Sequence, residues 1–293
     1  MFVSTLKNFA RGIRSIEDRS KKIQEALGRI EGRQLRGLPA ADIQGAEFRT
    51  FSQWGEDGIL QHLLRHISIS RKIFVEFGVE NYLESNTRFL LINDNWAGLV
   101  IDGSSENVDY IKNDEIYWRY NLKAECAFIN KDNINDLIRR NGISGEIGLL
   151  SIDIDGNDYW VWEAIDAVIP SIIVVEYNSR FGPERAVTVP YDPEFFRTTA
   201  HYSNIYYGAS LAALCLLGKR KGYSFVGCNT AGSNAFFVRE ELRPAGLPEL
   251  TPEAGFVPSQ VRESCDVRGT LTFLTKEQEA KILDRLPLID LSK

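Results

Sequence analysis

Two short stretches bring together side chains that could do chemistry. Residues 146–155 read E-I-G-L-L-S-I-D-I-D, and the apolar run 172–175 delivers Glu176, Tyr177 and Asn178. On a strand, Asp153 and Asp155 lie two apart, so both carboxylates would project to one face. If the two runs are adjacent strands, Asp153, Asp155, Glu176 and Asn178 share one rim. Such a set of oxygen donors is what a hard divalent ion, Mg2+ or Mn2+, prefers. A bare carboxylate pair in a buried strand is costly, so a cation, a proton or hydrogen-bond donors must be near. Capping of the following turns would explain Asp158 and Asn178 but not the whole group.

A second group lies upstream. Residues 73–79 are β-branched and aromatic, which predicts a buried strand stopping at Gly78, where a bare backbone lets a ligand approach. Glu84, Ser85, Asn86 and Thr87 supply capping chemistry for a helix over 88–95, and a second strand, 98–101, ends on Asp102. Strand, turn, helix, strand and acid form the unit that binds an adenosine-bearing cofactor, because a carboxylate can accept from both hydroxyls of a ribose. A pyrophosphate would need G-x-G-x-x-G. Here Gly78 stands alone between Glu76 and Glu80, which repel phosphate and tolerate a cation. The plain alternative is a structural βαβ unit without a ligand.

The E-x-G after the first strand, with an acid closing the second, resembles class I S-adenosylmethionine-dependent methyltransferases, whose cofactor is a sulfonium with an ammonium group and no phosphate. F-S-Q-W-G-E-D-G-I, V-E-F-G-V-E, N-W-A-G-L-V-I-D-G and L-L-S-I-D-I-D-G-N-D together resemble FkbM-type and related bacterial sugar O-methyltransferases over residues 50–240. The resemblance implies the class I fold, S-adenosylmethionine as methyl donor and a saccharide or glycan hydroxyl as acceptor. It implies cofactor contacts at Gln53, Glu76, Gly78, Glu80, Asn86, Thr87, Asp102, Gly103 and Asp153. Metal-dependent members carry acids after the fourth and fifth strands, matched here by Asp155 and Glu176, with Asn178 assisting. Asp153, Asp155 and His201 are the candidate catalytic groups. Glu80 and Tyr82 depart from the family's glycine-rich loop. The rivals are a small-molecule O-methyltransferase acting on a catechol or diol, and a cofactor-binding scaffold without turnover.

These residues need a scaffold. The pattern predicts an α/β fold, Rossmann-like, with a mostly parallel seven-stranded sheet between helix layers. Helices are expected over 104–114, 132–140 and 209–220, and a third strand over 125–129. The last strands, 223–227 and 234–238, are expected to be antiparallel. Asn130, Asp132 and Asn133 either meet an adenine or cap a helix. Ser52, Gln53, Trp54, Glu56 and Asp57 form a polar cluster, of which capping accounts for Ser52 or Asp57, while Gln53 and Trp54 suggest the cofactor's methionine end. His62 and His66 have metal-ligand spacing but no third ligand, which favours packing. Residues 179–207 are irregular and rich in rings, as a lid would be, and the proline-bearing tail is expected to wrap the domain.

Residues 1–37 predict one long helix, separate from a domain over 47–293. Leu6, Ile13, Ser20, Leu27 and Gln34, with Phe9, Ile16, Ile23 and Ile30, step by threes and fours as a heptad seam. Such a helix joins subunits as a homo-oligomer, or lies on its own domain. Lys7, Arg11 and Arg14 add possible contact with a membrane surface.

A net charge of −6 gives no argument for nucleic-acid binding. Four cysteines without C-x-x-C spacing indicate neither zinc nor a disulfide framework, so a reducing cytoplasm is the simplest setting, at the inner membrane face if the helix binds there. No apolar run reaches the ~18 residues of a membrane span, and the amino end lacks a signal-peptide core.

Overall fold

Short apolar runs too rich in β-branched residues for helix become the strands of one twisted sheet. A computed structural model describes residues 2–292, the side chains of residues 2–11, 14, 17 and 18 excepted. The chain opens with α1 (Phe2–Gln34) and α2 (Glu56–His66). Alternation then follows through β1 (Ile73–Phe77), α3 (Arg88–Asp94), β2 (Ala97–Asp102), α4 (Ser105–Asn113), α5 (Glu115–Arg119), β3 (Leu122–Cys126), α6 (Ile134–Arg140), β4 (Gly145–Ile152), α7 (Asp158–Ala164) and β5 (Val168–Glu176). After β6 (Val187–Thr188), α8 (Arg197–Ala200) and α9 (Leu211–Arg220) come β7 (Tyr223–Cys228), β8 (Asn234–Arg239), α10 (Pro252–Gly255), α11 (Lys276–Leu283) and β9 (Ile289–Asp290).

The main sheet has seven strands in the order β3-β2-β1-β4-β5-β8-β7. The first five are parallel, and β8 enters antiparallel beside β5 and β7. This is the Rossmann-like α/β fold that the pattern predicts. Successive residues of each strand serve opposite faces, which is why these strands read as unbroken apolar runs. Val75, Leu99, Leu150 and Ile173 pack against α6, α7 and α9, while Phe74, Val100, Leu149 and Ile172 pack against α2 and α3.

Several boundaries differ from expectation. The third strand is Leu122–Cys126, not 125–129. Its backbone pairs with Gly98 through Asp102, and the apolar Ile129 is buried after the chain has left the sheet edge. Hydrophobicity there marked burial, not extension. The segment after Gly37 is no free linker, because Ile43 and Ala46 are buried and Gln44 donates to the Cys228 carbonyl. Residues 179–207 are largely packed: Phe181, Val187, Ile205 and Tyr206 share a core with Leu283 of α11, and β6 pairs with β9. The tail does wrap the domain, with Tyr177 donating to the Val257 carbonyl and the Cys265 amide to Ser203.

The α1 helix lies against the domain through Gly28, Gly32 and Leu35. The seam positions Leu6 and Phe9 and the cations Lys7, Arg11 and Arg14 lie outside the described side chains. No described helix is long and apolar enough to cross a membrane.

Candidate active site

A cavity of about 890 Å3 opens at the carboxyl ends of β1, β2, β4 and β5, where strand order reverses between β1 and β4. Parallel strands with alternate crossovers leave a crevice at this point, so the site follows from topology. Gly78 closes β1 with φ +67°, and a Cβ built there would sit 1.7 Å from the Asp153 carbonyl oxygen. Only a glycine fits. Glu80, Tyr82 and Asp155 also hold positive φ, at 47°, 62° and 56°. Residues in that region cost energy and gather at functional sites, and here they mark the two loops that face each other across the cavity.

Asp102 ends β2 at the cavity wall. Its carboxylate accepts from the Glu80 and Ser104 amides, both at 2.8 Å, and from Asn107 Nδ2 at 3.1 Å. A carboxylate has about four acceptor positions, so capacity remains for a ligand hydroxyl. Glu76 is more committed. Its oxygens accept from Ser85 Oγ at 2.7 Å, the Asn86 amide at 2.8 Å and the Thr87 amide and hydroxyl. It therefore caps α3, the work that Ser85 and Thr87 were expected to do with their own side chains. Thr87 is fully buried and turned to Glu76 and Tyr82, away from any cofactor role. Asn86, Gly103 and Gln53 line the cavity as expected. Phe128, 48% exposed, is a lining ring that no motif announces; a Cβ on Gly103 would be 3.6 Å from it.

The acid group assembles, though not by the predicted route. The fourth strand stops at Ile152, and a turn, not the pleat, brings Asp153 and Asp155 to one side. Asp158 builds that turn, accepting from the Ile154 and Gly156 amides at 2.9 Å. One oxygen each of Asp153, Asp155 and Glu176 lies within 4.8 Å of the others. Burial, and then the neighbouring carboxylates, hold Asp153 and Glu176 well above the usual range. Glu176 Oε2 is buried with no hydrogen-bond partner.

Asn178 does not join them. It is fully buried, with Nδ2 donating to the Ile205 and Tyr207 carbonyls and Oδ1 accepting from the Arg180 amide. It caps the turn after β5, the plainer of its two readings. His201 is absent from the lining and its Nδ1 faces Ser203 Oγ at 2.7 Å. Arg197 of α8 stands where a base was expected. It contacts Asp155 at 2.7 Å and Glu263 at 3.1 Å and stacks on Tyr207 at 3.7 Å. No motif announces this arginine, because its partners lie 42 and 66 residues away in sequence.

Two amides complete the wall. Asn157 Nδ2 donates to the Asp192 carbonyl at 2.7 Å, and Asn204 Nδ2 to the Glu263 carbonyl at 3.4 Å. Those bonds fix which end is nitrogen and leave Oδ1 of each residue buried without a donor. Both line the cavity with Phe195 and Phe196. Eight acids and two arginines surround the space, so a cation is favoured there and a phosphate repelled.

Other candidates prove structural. Asn130 and Asn133 bond each other's loop, and Asp132 accepts from Tyr191. His62 Nε2 meets the Pro39 and Ala40 carbonyls, which is packing. Glu56 accepts from Asn229 and Asn234 and pins α2 to the sheet. Asp57 accepts the Thr50, Phe51 and Ser52 amides on one oxygen, while Oδ1 is buried and unpartnered. Burial, outweighing those bonds, pushes its carboxyl up to about 6. A raised folded pKa means its stability contribution is full below about pH 3.8 and is lost as pH rises through about 6. Across that window the wild type should lose about 3 kcal/mol relative to Asp57→Asn. Urea unfolding at pH 4, 5, 6 and 7 reads the difference; parallel curves would reject it.

No protein-family model matches the chain, and no curated protein matches it. Among solved structures it is similar to the N-terminal domain of EvdMO1 with SAH bound, at 11% identity and TM-score 0.39, covering 75% of this chain and 94% of that one. It is similar to an S-adenosylmethionine-dependent methyltransferase from Clostridium acetobutylicum ATCC 824, at 10% identity and TM-score 0.37, covering 57% and 83%. A third is a SAM-dependent methyltransferase from Aquifex aeolicus, at 10% identity and TM-score 0.35, covering 68% and 97%.

Proposed function

We propose that this chain is an S-adenosylmethionine-dependent O-methyltransferase whose acceptor is a saccharide hydroxyl, assisted by a divalent cation. One observation carries the reading: Glu176 Oε2, Asn157 Oδ1 and Asn204 Oδ1 are buried acceptors without donors in the wall of one acidic cavity. Unmet buried acceptors are costly, so the natural ligand brings donors or positive charge. A polyhydroxylated acceptor brings the donors.

The cofactor fits the β1–β2 half. Asp102 has acceptor capacity for a ribose hydroxyl, Gly78 removes the Cβ that would block approach, and Phe128 with Ile129 offers an apolar surface to a purine. The acids suit a sulfonium and an ammonium group. A divalent cation fits the other half, where Asp153, Asp155 and Glu176 would hold it and the orphaned Glu176 oxygen is an unused ligand position. When bound, the cofactor supplies the transferable methyl group and the cation supplies charge that favours ionisation of a hydroxyl.

The chain's own residues do the rest. Asn157 and Asn204 accept from acceptor hydroxyls and set its orientation, which fixes the oxygen in line with the methyl carbon. Phe195 and Phe196 cover an apolar sugar face and exclude water. Asp153 lines the cavity beside Asp155 and Glu176 and is the carboxylate that takes the hydroxyl proton onto an oxygen. Arg197 holds Asp155 until the ligands arrive.

Calorimetry with S-adenosylhomocysteine tests the first half. The wild type should bind it and not NAD, and Asp102→Ala should weaken binding by about 1.5–3 kcal/mol through loss of charge-assisted hydrogen bonds. Methyl transfer from labelled cofactor to a panel of glycans, nucleotide-sugars and catechols tests the second. Catechol as the sole acceptor would overturn the saccharide, and NAD binding would overturn the cofactor.

A further inference from the structure

We infer that Asn234, at the start of β8, gives a fourth oxygen to the divalent cation proposed at Asp153, Asp155 and Glu176, the place that Asn178 leaves open. In the antiparallel pair of β5 and β8, Ile172 lies opposite Val238, Val174 opposite Phe236 and Glu176 opposite Asn234. Directly opposed residues share a face of the sheet, with Cβ atoms about 4.5–5.5 Å apart. The four apolar members of that series pack in the core on the α2 side. The next step of the alternation therefore brings Glu176 and Asn234 to that side together. Both line the cavity, and both are more than nine-tenths buried, at 8% and 6% exposure. The amide is thus the cross-strand neighbour of the carboxylate whose Oε2 lacks a partner.

The protein fixes which end of that amide is free. Asn234 Nδ2 donates to Glu56 Oε1 at 2.9 Å, beside Asn229 Nδ2 at 2.7 Å. The other oxygen of Glu56 accepts the Trp54 and Gly55 amides at 3.0 and 2.9 Å. Donors thus converge on both oxygens of a fully buried carboxylate, and that holds the nitrogen end of Asn234 in place. Asn229 builds the mount. Its Oδ1 accepts the Gly232, Ser233 and Asn234 amides and so shapes the turn between β7 and β8. Asn234 Oδ1 has no donor among the described residues, whereas Asn178 has both ends of its amide engaged. An asparagine carbonyl is an oxygen that hard cations accept as a ligand. Being neutral, it adds a coordination position to three carboxylates without adding to their repulsion.

This role rests on the proposed cation, so the test reads the cation itself, by calorimetric titration of the full chain with Mn2+. The wild type should bind it saturably. A ligand matters no less than the outer-sphere partners whose loss costs on the order of 10–100-fold in affinity. Asn234→Ala should therefore bind Mn2+ at least ~10-fold more weakly, with S-adenosylhomocysteine affinity unchanged. Asn234→Asp keeps an oxygen in the cavity but sets a negative charge against Glu56. Its thermal transition should fall in chelator and recover in Mn2+, because a bound ligand stabilises the folded state. Its Mn2+ affinity should at least equal the wild type's. If Asn234 only braces Glu56, the aspartate would bind Mn2+ no better than the alanine, which would overturn the role as a ligand. Equal Mn2+ affinity in Asn234→Ala and the wild type would also overturn it, and would leave the cation at the acid cluster standing. Parallel loss of S-adenosylhomocysteine in Asn234→Ala would make the residue a brace of the fold instead. A wild type that binds no Mn2+ would overturn the cation and this ligand together.

Discussion

Glu176→Gln should bind S-adenosylhomocysteine within about twofold of the wild type yet transfer methyl groups on the order of 10²–10³-fold more slowly. The substitution keeps the side chain's shape and removes its charge. Oε2 is buried without a hydrogen-bond partner, so no hydrogen bond of the protein is lost at that oxygen. Because burial and the nearby carboxylates already hold its pKa up, the neutral amide should fold at least as well as the acid. A loss of turnover therefore reads the site and not the fold. The cofactor half, at Gly78 and Asp102, lies on other strands and should be little disturbed. Steady-state kinetics with added Mg2+ or Mn2+, and again with excess chelator, separates the roles. If the chelator reproduces the defect in the wild type, the acid is a ligand. Full wild-type activity in chelator removes the metal and leaves the carboxylates as bases, with Arg197 as their standing counter-charge. Unchanged turnover in Glu176→Gln would remove Glu176 from the reaction.

Gly78→Ala should be among the most destabilising single substitutions in the chain. Two effects add. A side chain at φ +67° costs about 1–2 kcal/mol. The new Cβ would lie 1.7 Å from a backbone oxygen, Asp153 O, which cannot swing aside as a side-chain tip could. Relief requires the β4 turn to shift, a strain of about 1–3 kcal/mol. The expected total is about 2–5 kcal/mol, with loss of both cofactor binding and turnover, because the displaced atom belongs to Asp153 and moves the acid cluster with it. Denaturant unfolding reads the stability. A change below about 1 kcal/mol would mean that the two loops are not in contact as described.

Much of the site was legible because its positions are fixed by local rules. A glycine at the end of one strand and an acid at the end of the next must lie beside the switch point once the strands are parallel, so Gly78 and Asp102 could be placed without coordinates. Glu176 could be placed likewise, at the end of an apolar run. What escaped was whatever depends on loops. Asp153 and Asp155 converge through a turn shaped by Asp158, Arg197 reaches Asp155 across 42 residues, and Asn157 and Asn204 are oriented by carbonyls of segments far along the chain. Asn178 and His201 were plausible by type alone, and long-range packing spends the first on carbonyls and turns the second away.

By itself, then, the amino-acid order determined the sheet, its alternating faces, the switch-point residues and the heptad stripe on α1, because period and strand-end chemistry are properties of neighbours in sequence. The tertiary structure alone decided which face of α1 the domain uses, which acids share a space, and which buried oxygens are left without donors. Those outcomes depend on where distant segments come to rest, and no local pattern encodes the distance between atoms that the chain brings together only on folding.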